Sequence, residues 1–163
     1  MIGTPRIDNR PEKPYMGIRV RTPMKGLSKV IEKLYHELSV WMKEHHLEPA
    51  GSHFLRYYVI DMKGEMDIEV GFPVKRILAG EGRVTPGVLP EGKYASLVYS
   101  GSGLAGNKAL VEWAKANGVA WDRWNDEKGD AFRSRYETFL TDPNVEPRKT
   151  KWDIEVAIKL ADK

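Results

Sequence analysis

Glu137 is the residue best placed to do chemistry. It stands in Arg135-Tyr136-Glu137-Thr138-Phe139, a β-prone run rich in aromatic residues. Strict alternation puts it on one strand face with Arg135 and Phe139. A carboxylate beside aromatic rings suits a planar cation, because the charge pairs with it while ring faces stack on it. Taken out of water there, a carboxylate can also work as a general acid or base. The plainer alternative is a solvent-facing glutamate paired with Arg133 or Arg135. Glu69 and Glu155 sit on the non-apolar faces of Asp67-Ile68-Glu69-Val70 and Asp153-Ile154-Glu155-Val156. If two sheets meet there, both bracket the same groove. Aromatic residues cluster at Tyr57-Tyr58, at Tyr94 and Tyr99, at Trp121 and Trp124, at Tyr136 and at Trp152. Core packing accounts for Trp41 and Trp113. Trp121 and Trp124 lie instead among Asp122, Arg123, Asn125 and Asp126. Large aromatics in such a loop either close over a pocket or anchor the loop.

Other chemistries are poorly supplied. Gly101-Ser102-Gly103-Leu104-Ala105-Gly106 fits G-x-G-x-x-G and leads from a predicted strand into a predicted helix. A dinucleotide site also needs a parallel βαβ unit whose second strand ends on an acidic residue. The segment that follows, Val119 to Asp130, is charged, Trp-rich and without a hydrophobic run. The glycines therefore read as a flexible turn with Ser102 as helix cap, or as a lip where a ligand nears the backbone. His36, His45, His46 and His53 show no chelating spacing, so surface histidines and no metal are expected. No cofactor is implied. G-x-S-x-G is absent. The chain has no cysteine, which excludes disulfides, thiolate zinc sites and cysteine nucleophiles.

The 163 residues, 41% hydrophobic and 30% charged, suit a single globular domain. Basic and acidic residues number 26 and 23 and are interspersed, which is a mixed surface and not a nucleic-acid footprint. No run of about 18 apolar residues exists, so no membrane span is expected. No apolar signal segment opens the chain, and a cytoplasmic location is the expectation.

The elements that must position these residues are legible by periodicity. Residues 1–13 read as a flexible N-terminal arm, broken by Pro5 and Pro11. Tyr15 to Thr22 alternates as a half-buried strand, with Met16, Ile18 and Val20 on one face. Leu27 to His46 carries Leu27, Val30, Ile31, Leu34, Leu38, Trp41 and Met42 at helical spacing. Phe54 to Ile60 and Met66 to Val74 read as a hairpin, and Gly82 to Val88 as a short strand in a connector. The pattern then restarts: strand from Lys93 to Tyr99, helix from Leu104 to Asn117, strands from Phe132 to Leu140 and from Trp152 to Leu160. The D-I-E-V tetrapeptide falls at the same place in each half. The expectation is an α+β fold of duplicated β-α-β-β modules, about 14–75 and 91–163. Pseudo-two-fold symmetry would relate the modules, with antiparallel sheets and two main helices around a central groove.

Two stretches, Arg135-Tyr136-Glu137-Thr138-Phe139-Leu140-Thr141-Asp142-Pro143 and Lys151-Trp152-Asp153-Ile154-Glu155-Val156-Ala157-Ile158, resemble the C-terminal signature of the GyrI-like effector-binding family. Pro14 to Val20, Asp67 to Val74 and Gly92 to Ala95 fit the same family. The resemblance implies a duplicated strand–helix–strand–strand fold with a ligand groove that takes aromatic, often cationic, molecules. It implies a ligand-facing glutamate at Glu137 and a pocket aromatic at Trp152. More weakly it carries over Tyr94, Tyr99, Trp121 and Trp124. Regulators of the family attach a DNA-binding domain, for which the residues before the first strand leave no room, so no direct nucleic-acid partner is expected. Gly101 to Gly106 departs from the usual family loop.

Three functions are consistent with these residues. The first is binding of a hydrophobic aromatic cation, for sensing or sequestration, by Glu137, Trp152, Tyr94, Tyr99, Trp121, Trp124, Tyr136 and Glu69. The second is hydrolysis of an electrophilic xenobiotic such as a cyclopropane-containing alkylator, with Glu137 and Tyr99 as catalytic residues. The third is a protein-interaction module with a partner such as gyrase.

Overall fold

Alternation dominates this chain, and the computed structural model, which describes residues 1–162, turns it into one antiparallel sheet carrying two helices. The first half contains β1 (Arg6–Arg10), β2 (Lys13–Pro23), α1 (Leu27–Glu44), β3 (Phe54–Ile60), β4 (Glu65–Pro73) and β5 (Val84–Leu89). The second contains β6 (Gly92–Tyr99), α2 (Gly103–Ala116), β7 (Arg123–Asp126), β8 (Gly129–Phe132), β9 (Arg135–Phe139) and β10 (Ile154–Lys159). The sheet order is β1-β6-β10-β9-β3-β4-β2-β5, with the β7–β8 hairpin attached to β3. This is the α+β, duplicated β-α-β-β architecture expected from the sequence: β2-α1-β3-β4 repeats as β6-α2-β9-β10. Every strand pair among the described residues is antiparallel, so the parallel unit of a dinucleotide fold is absent there.

The repeats join where β3 pairs with β9. Leu55 pairs with Val70 in one repeat, and Glu137 pairs with Val156 in the other. Val70 and Val156 are equivalent positions of the repeated tetrapeptide, so Leu55 and Glu137 are equivalent too. They also face each other directly across the β3–β9 seam. The pseudo-two-fold axis therefore runs between them.

Both helices cover the same sheet face. Buried Leu34, Leu38, Trp41 and Met42 of α1 pack on Met16, Ile18, Ile68 and Val70. Leu110 of α2 packs on Leu97, Tyr99, Val156 and Ile158. Ser102 caps α2, its Oγ accepting from Ala105 N–H at 3.1 Å, as its position in the sequence implies. Gly118, at φ +67°, follows the Asn117 C-cap.

The opposite face is rolled inward, leaving a cleft of about 360 Å³ at one end lined by Arg10, Leu89, Tyr94, Tyr136 and Glu155. Only Pro90 and Glu91 link β5 to β6, so Leu89 and Gly92 are at most about 11 Å apart. Six strand spacings separate β5 from β6 in the sheet order, about 29 Å if the sheet were flat. The sheet must coil, and Leu89 accordingly packs on Phe54, Tyr136 and Ala157 in the middle strands. The helices lie on the outside of this coil.

Two expectations are corrected. The flexible N-terminal arm is in part an edge strand: β1 pairs with β6 from Arg6↔Ser96 to Arg10↔Gly92. Pro5 and Pro11 flank that strand and so cost it no ladder hydrogen bond. The stretch from Val119 to Asp130, expected to be a loop, contains β7 and the start of β8, turning at Glu127 and Lys128. Among the described residues no helix is long and apolar enough to cross a membrane.

Candidate functional site

Alternation along β9 places Glu137 on the helix-covered face, at the seam between the repeats and beneath the gap between α1 and α2. It is 6% exposed. Tyr57 of β3 donates its hydroxyl to Oε1 at 2.6 Å. Tyr99, the last residue of β6, donates to Oε2. Asn107 of α2 offers its amide to the same oxygen at 3.5 Å, and its own Oδ1 accepts from Arg135 Nη2 at 2.8 Å. Burial, then the neighbouring Glu137 charge, raises both tyrosines well above the usual phenol range, so they remain donors. Arg135 is two residues away on the same face, but its guanidinium lies over Phe132 at 4.8 Å. Burial lowers its affinity for its proton. Among the described residues no basic nitrogen lies within 4.0 Å of the Glu137 carboxylate.

The glycine-rich turn is what brings α2 onto Tyr99. A Cβ at Gly106 would sit 2.4 Å from Tyr99 Cγ, and one at Gly103 would sit 3.2 Å from its hydroxyl. The helix can cross the ring only because these positions are glycine. The conformational use is at Gly101, φ +85°, where the chain turns into the helix.

A cleft of about 400 Å³ opens above this group. Tyr35 of α1, His53, Phe139, Trp152 and Tyr99 form its aromatic walls, and Gly101 and Gly103 form one lip. Phe139 stacks on His53 at 4.6 Å and meets Trp152 edge-on at 6.1 Å. Trp152 is fixed by its indole N–H, which donates to the Glu146 carbonyl at 2.5 Å. Glu32 and Lys149 stand on the rim. Glu137 is not part of the lining surface; Tyr99 lines the cleft and its hydroxyl reaches Glu137. A larger groove, about 490 Å³, lies behind Tyr35 at the end of α1, but no buried charge faces it.

Of the residues singled out in the sequence, the structure thus brings Glu137, Tyr99 and Trp152 together. Glu69, Tyr94 and Tyr136 are on the reverse face of the sheet. There the Glu69 carboxylate accepts from Tyr15 at 2.5 Å and Tyr58 at 2.6 Å, with Arg56 donating to Tyr15 at 3.0 Å. Glu155 is on that face too, paired with Arg10 at 2.8 Å. Neither glutamate brackets the groove of Glu137, because Ile68 and Val70, Ile154 and Val156 already take the helix side of their strands. Tyr94 donates to the Pro90 carbonyl at 2.6 Å, and Tyr136 accepts from Arg10 at 2.9 Å. Trp121 packs against the core of the second repeat. Trp124 is 43% exposed on β7 beneath the Arg133 guanidinium. Sequence reasoning passed over Asn107 and Tyr35, noted Tyr57 only as one of the clustered aromatics, and took His53 for a surface histidine. His53 is not a surface histidine but buried at 7% exposure, and burial pushes its pKa down to about 4. The face shared by Leu55 and Tyr57 was the available signal for Tyr57. Among the described residues no three metal-ligating side chains gather.

The family model described as GyrI-like small molecule binding domain matches residues 3–161. No curated protein matches the chain in sequence. Solved structures share the fold. The EcmrR C-terminal domain has a TM-score of 0.70 at 17% identity, with 100% of each chain covered. EcmrR in its DNA complex gives 0.73 at 17% identity, covering 98% of this chain; this chain spans 58% of that one. A hydrolase from Listeria innocua gives 0.63 at 12% identity, covering 96% of this chain and 91% of that one. SAV2435, solved bound to tetraphenylphosphonium, gives 0.62 at 9% identity, with 97% and 94% covered.

Proposed function

The chain belongs to the GyrI-like small molecule binding domain family, and on that premise we propose that it binds flat aromatic cations in the cleft between α1 and α2, with Glu137 as counter-charge. One observation carries the reading: a buried carboxylate held by Tyr57, Tyr99 and Asn107, all neutral, with no ion-pair partner among the described residues. A carboxylate so placed has lost its hydration and gained no direct ion pair, Arg135 acting on it only from beyond Asn107. A cation about 5 Å away, across the edge of Tyr99, would gain about 3 kcal/mol at an effective dielectric of about 20, less its own desolvation. Trp152, Phe139 and Tyr35 offer ring surface to the rest of the ligand. The aromatic cation held by SAV2435 supports the ligand class. Sensing and sequestration of such molecules both use this step.

Trp152 makes the test direct, since its fluorescence reports occupancy of the cleft. Glu137→Gln should weaken an aromatic cation at least about tenfold and a neutral isostere less than twofold. Equal losses for both ligands would overturn the counter-charge role.

A second reading is favoured by Tyr99, which lines the cleft and whose hydroxyl donates to Glu137, and by the fold shared with the Listeria innocua hydrolase. Tyr99 would take a proton from water and pass its own to Glu137 as the water oxygen attacks a strained ring carbon. The breaking bond's electron pair would move into a conjugated oxygen of the ligand, which takes its proton from solvent. A product heavier by one water, formed over many turnovers and lost in Glu137→Gln, would establish it. Stoichiometric protection without product would exclude it.

A further inference from the structure

His53 is the polar group in the cleft that the reading above leaves unused. It is 7% exposed and lines the cavity. Phe139 stacks flat on its ring at 4.6 Å and 14°, and Tyr35 lies tilted at 4.4 Å on another side. Phe72 packs at 5.6 Å. Three aromatic neighbours thus fix the plane of the imidazole. Its backbone is fixed as well, because the His53 carbonyl accepts from Phe139 N–H at 3.1 Å.

The ring nitrogens, in contrast, take part in no hydrogen bond within the protein among the described residues, and neither is among the side-chain atoms sealed from solvent. A polar side chain buried this far is nearly always paired. The partners open to it are water and whatever else occupies the cleft it lines. Burial keeps the ring neutral near pH 7, its pKa lying at about 4. A neutral imidazole has one acceptor nitrogen and one donor nitrogen, and it does not repel a cation. His53 sits beside Phe139, two residues along β9 from Glu137, which is about 7 Å along the strand.

We infer that His53 is a specificity residue of the cleft: its acceptor nitrogen selects aromatic cations that carry an N–H or O–H donor on the side directed away from Glu137, toward Phe139. This rests on the cleft being the ligand site. It divides the aromatic cations into two classes. Amino-substituted dyes and protonated arylamidines can satisfy His53. Purely aryl- or alkyl-substituted onium ions bury it unpaired, at a loss of one hydrogen bond.

The test uses two probes of one shape on the full chain, a diamino-substituted phenanthridinium dye and its counterpart lacking the amino groups. The unaltered protein should bind the amino dye about 3- to 10-fold tighter. His53→Phe keeps the stack on Phe139 and should close the gap to less than twofold, by weakening the amino dye alone. A far-UV circular dichroism spectrum matching that of the unaltered protein shows that the variant is folded. Glu137→Gln should weaken both dyes by the same factor and leave the gap open. Equal binding of the two dyes by the unaltered protein, or a gap that survives in His53→Phe, overturns the role of His53 and leaves the cleft reading standing. No saturable binding of either dye overturns both.

Discussion

Leu55 and Glu137 face each other across the seam of the two repeats, and each is the other's counterpart under the pseudo-two-fold relation. One place in the fold is thus filled by an apolar group in the first repeat and a carboxylate in the second. Leu55 is 2% exposed within the core under α1. Leu55→Glu would set a second carboxylate about 5 Å from the first. We expect a loss of at least about 3 kcal/mol at pH 8, from packing and from two like charges out of water. The folded pair would hold a proton that the unfolded chain has released. Part of the loss should therefore return as pH falls to 5. Urea unfolding at the two pH values measures this, and a loss independent of pH would contradict the juxtaposition.

Gly106 tests how α2 holds the site together. Gly106→Ala puts a methyl 2.4 Å from Tyr99 Cγ, and the helix or the ring has to shift. The helical preference of alanine returns less than about 1 kcal/mol, against about 1–3 kcal/mol for overpacking. Stability and ligand affinity should both fall. Gly118→Ala, at φ +67° with open space around it, is the control. It should cost about 1 kcal/mol in denaturant titration and leave affinity alone.

His53 should make the fold acid-sensitive. The unfolded imidazole takes a proton near pH 6.5, while the folded one resists until about 4. Between these values the unfolded state binds more protons, so stability falls as pH falls. The slope is about 1.4 kcal/mol per unit, up to about 3 kcal/mol in all. Asp142 opposes this by favouring the charged ring, and Glu32, His36 and Lys149 also face the cleft. A urea midpoint series from pH 7 to 4 should be flatter for His53→Phe than for the unaltered protein. Parallel curves would count against a neutral, buried His53.

Glu69 separates the two faces of the sheet. Its carboxylate accepts from Tyr15 and Tyr58 inside the coil. Glu69→Gln should cost about 1–3 kcal/mol in thermal or urea unfolding, because two buried hydroxyls lose a charged acceptor. Ligand affinity in the cleft should not change. A matching loss of affinity would mean that the reverse face communicates with the ligand.

The strand face of Glu137 was legible because the argument for it needed only the alternation within one strand. The mistake over Glu69 and Glu155 came from a step beyond alternation. Their strands carry Ile68, Val70, Ile154 and Val156 on the helix side, so their carboxylates belong to the reverse face. That this face rolls inward follows from the two-residue Pro90-Glu91 link, which no alternation pattern contains. The Glu137–Tyr57 contact depends on β3 pairing with β9, a register between distant segments that no local pattern contains. Trp124 illustrates a different limit. An aromatic in a polar run is equally at home on a small hairpin, where Arg133 covers it. Pro5 and Pro11 argued against regular structure in the N-terminal segment, yet they leave space for five residues between them, and those five are β1.

The two-residue link between β5 and β6 also acts as a mechanical tie. With the curl of the sheet held at a fixed radius, the helices riding on its outer surface cannot spread without stretching Pro90-Glu91 or breaking the packing of Leu89 on Phe54 and Tyr136. The width of the cleft is thereby tied to the radius of the coil, so that under the proposed function the thickness of a ligand counts before any group on it is recognised.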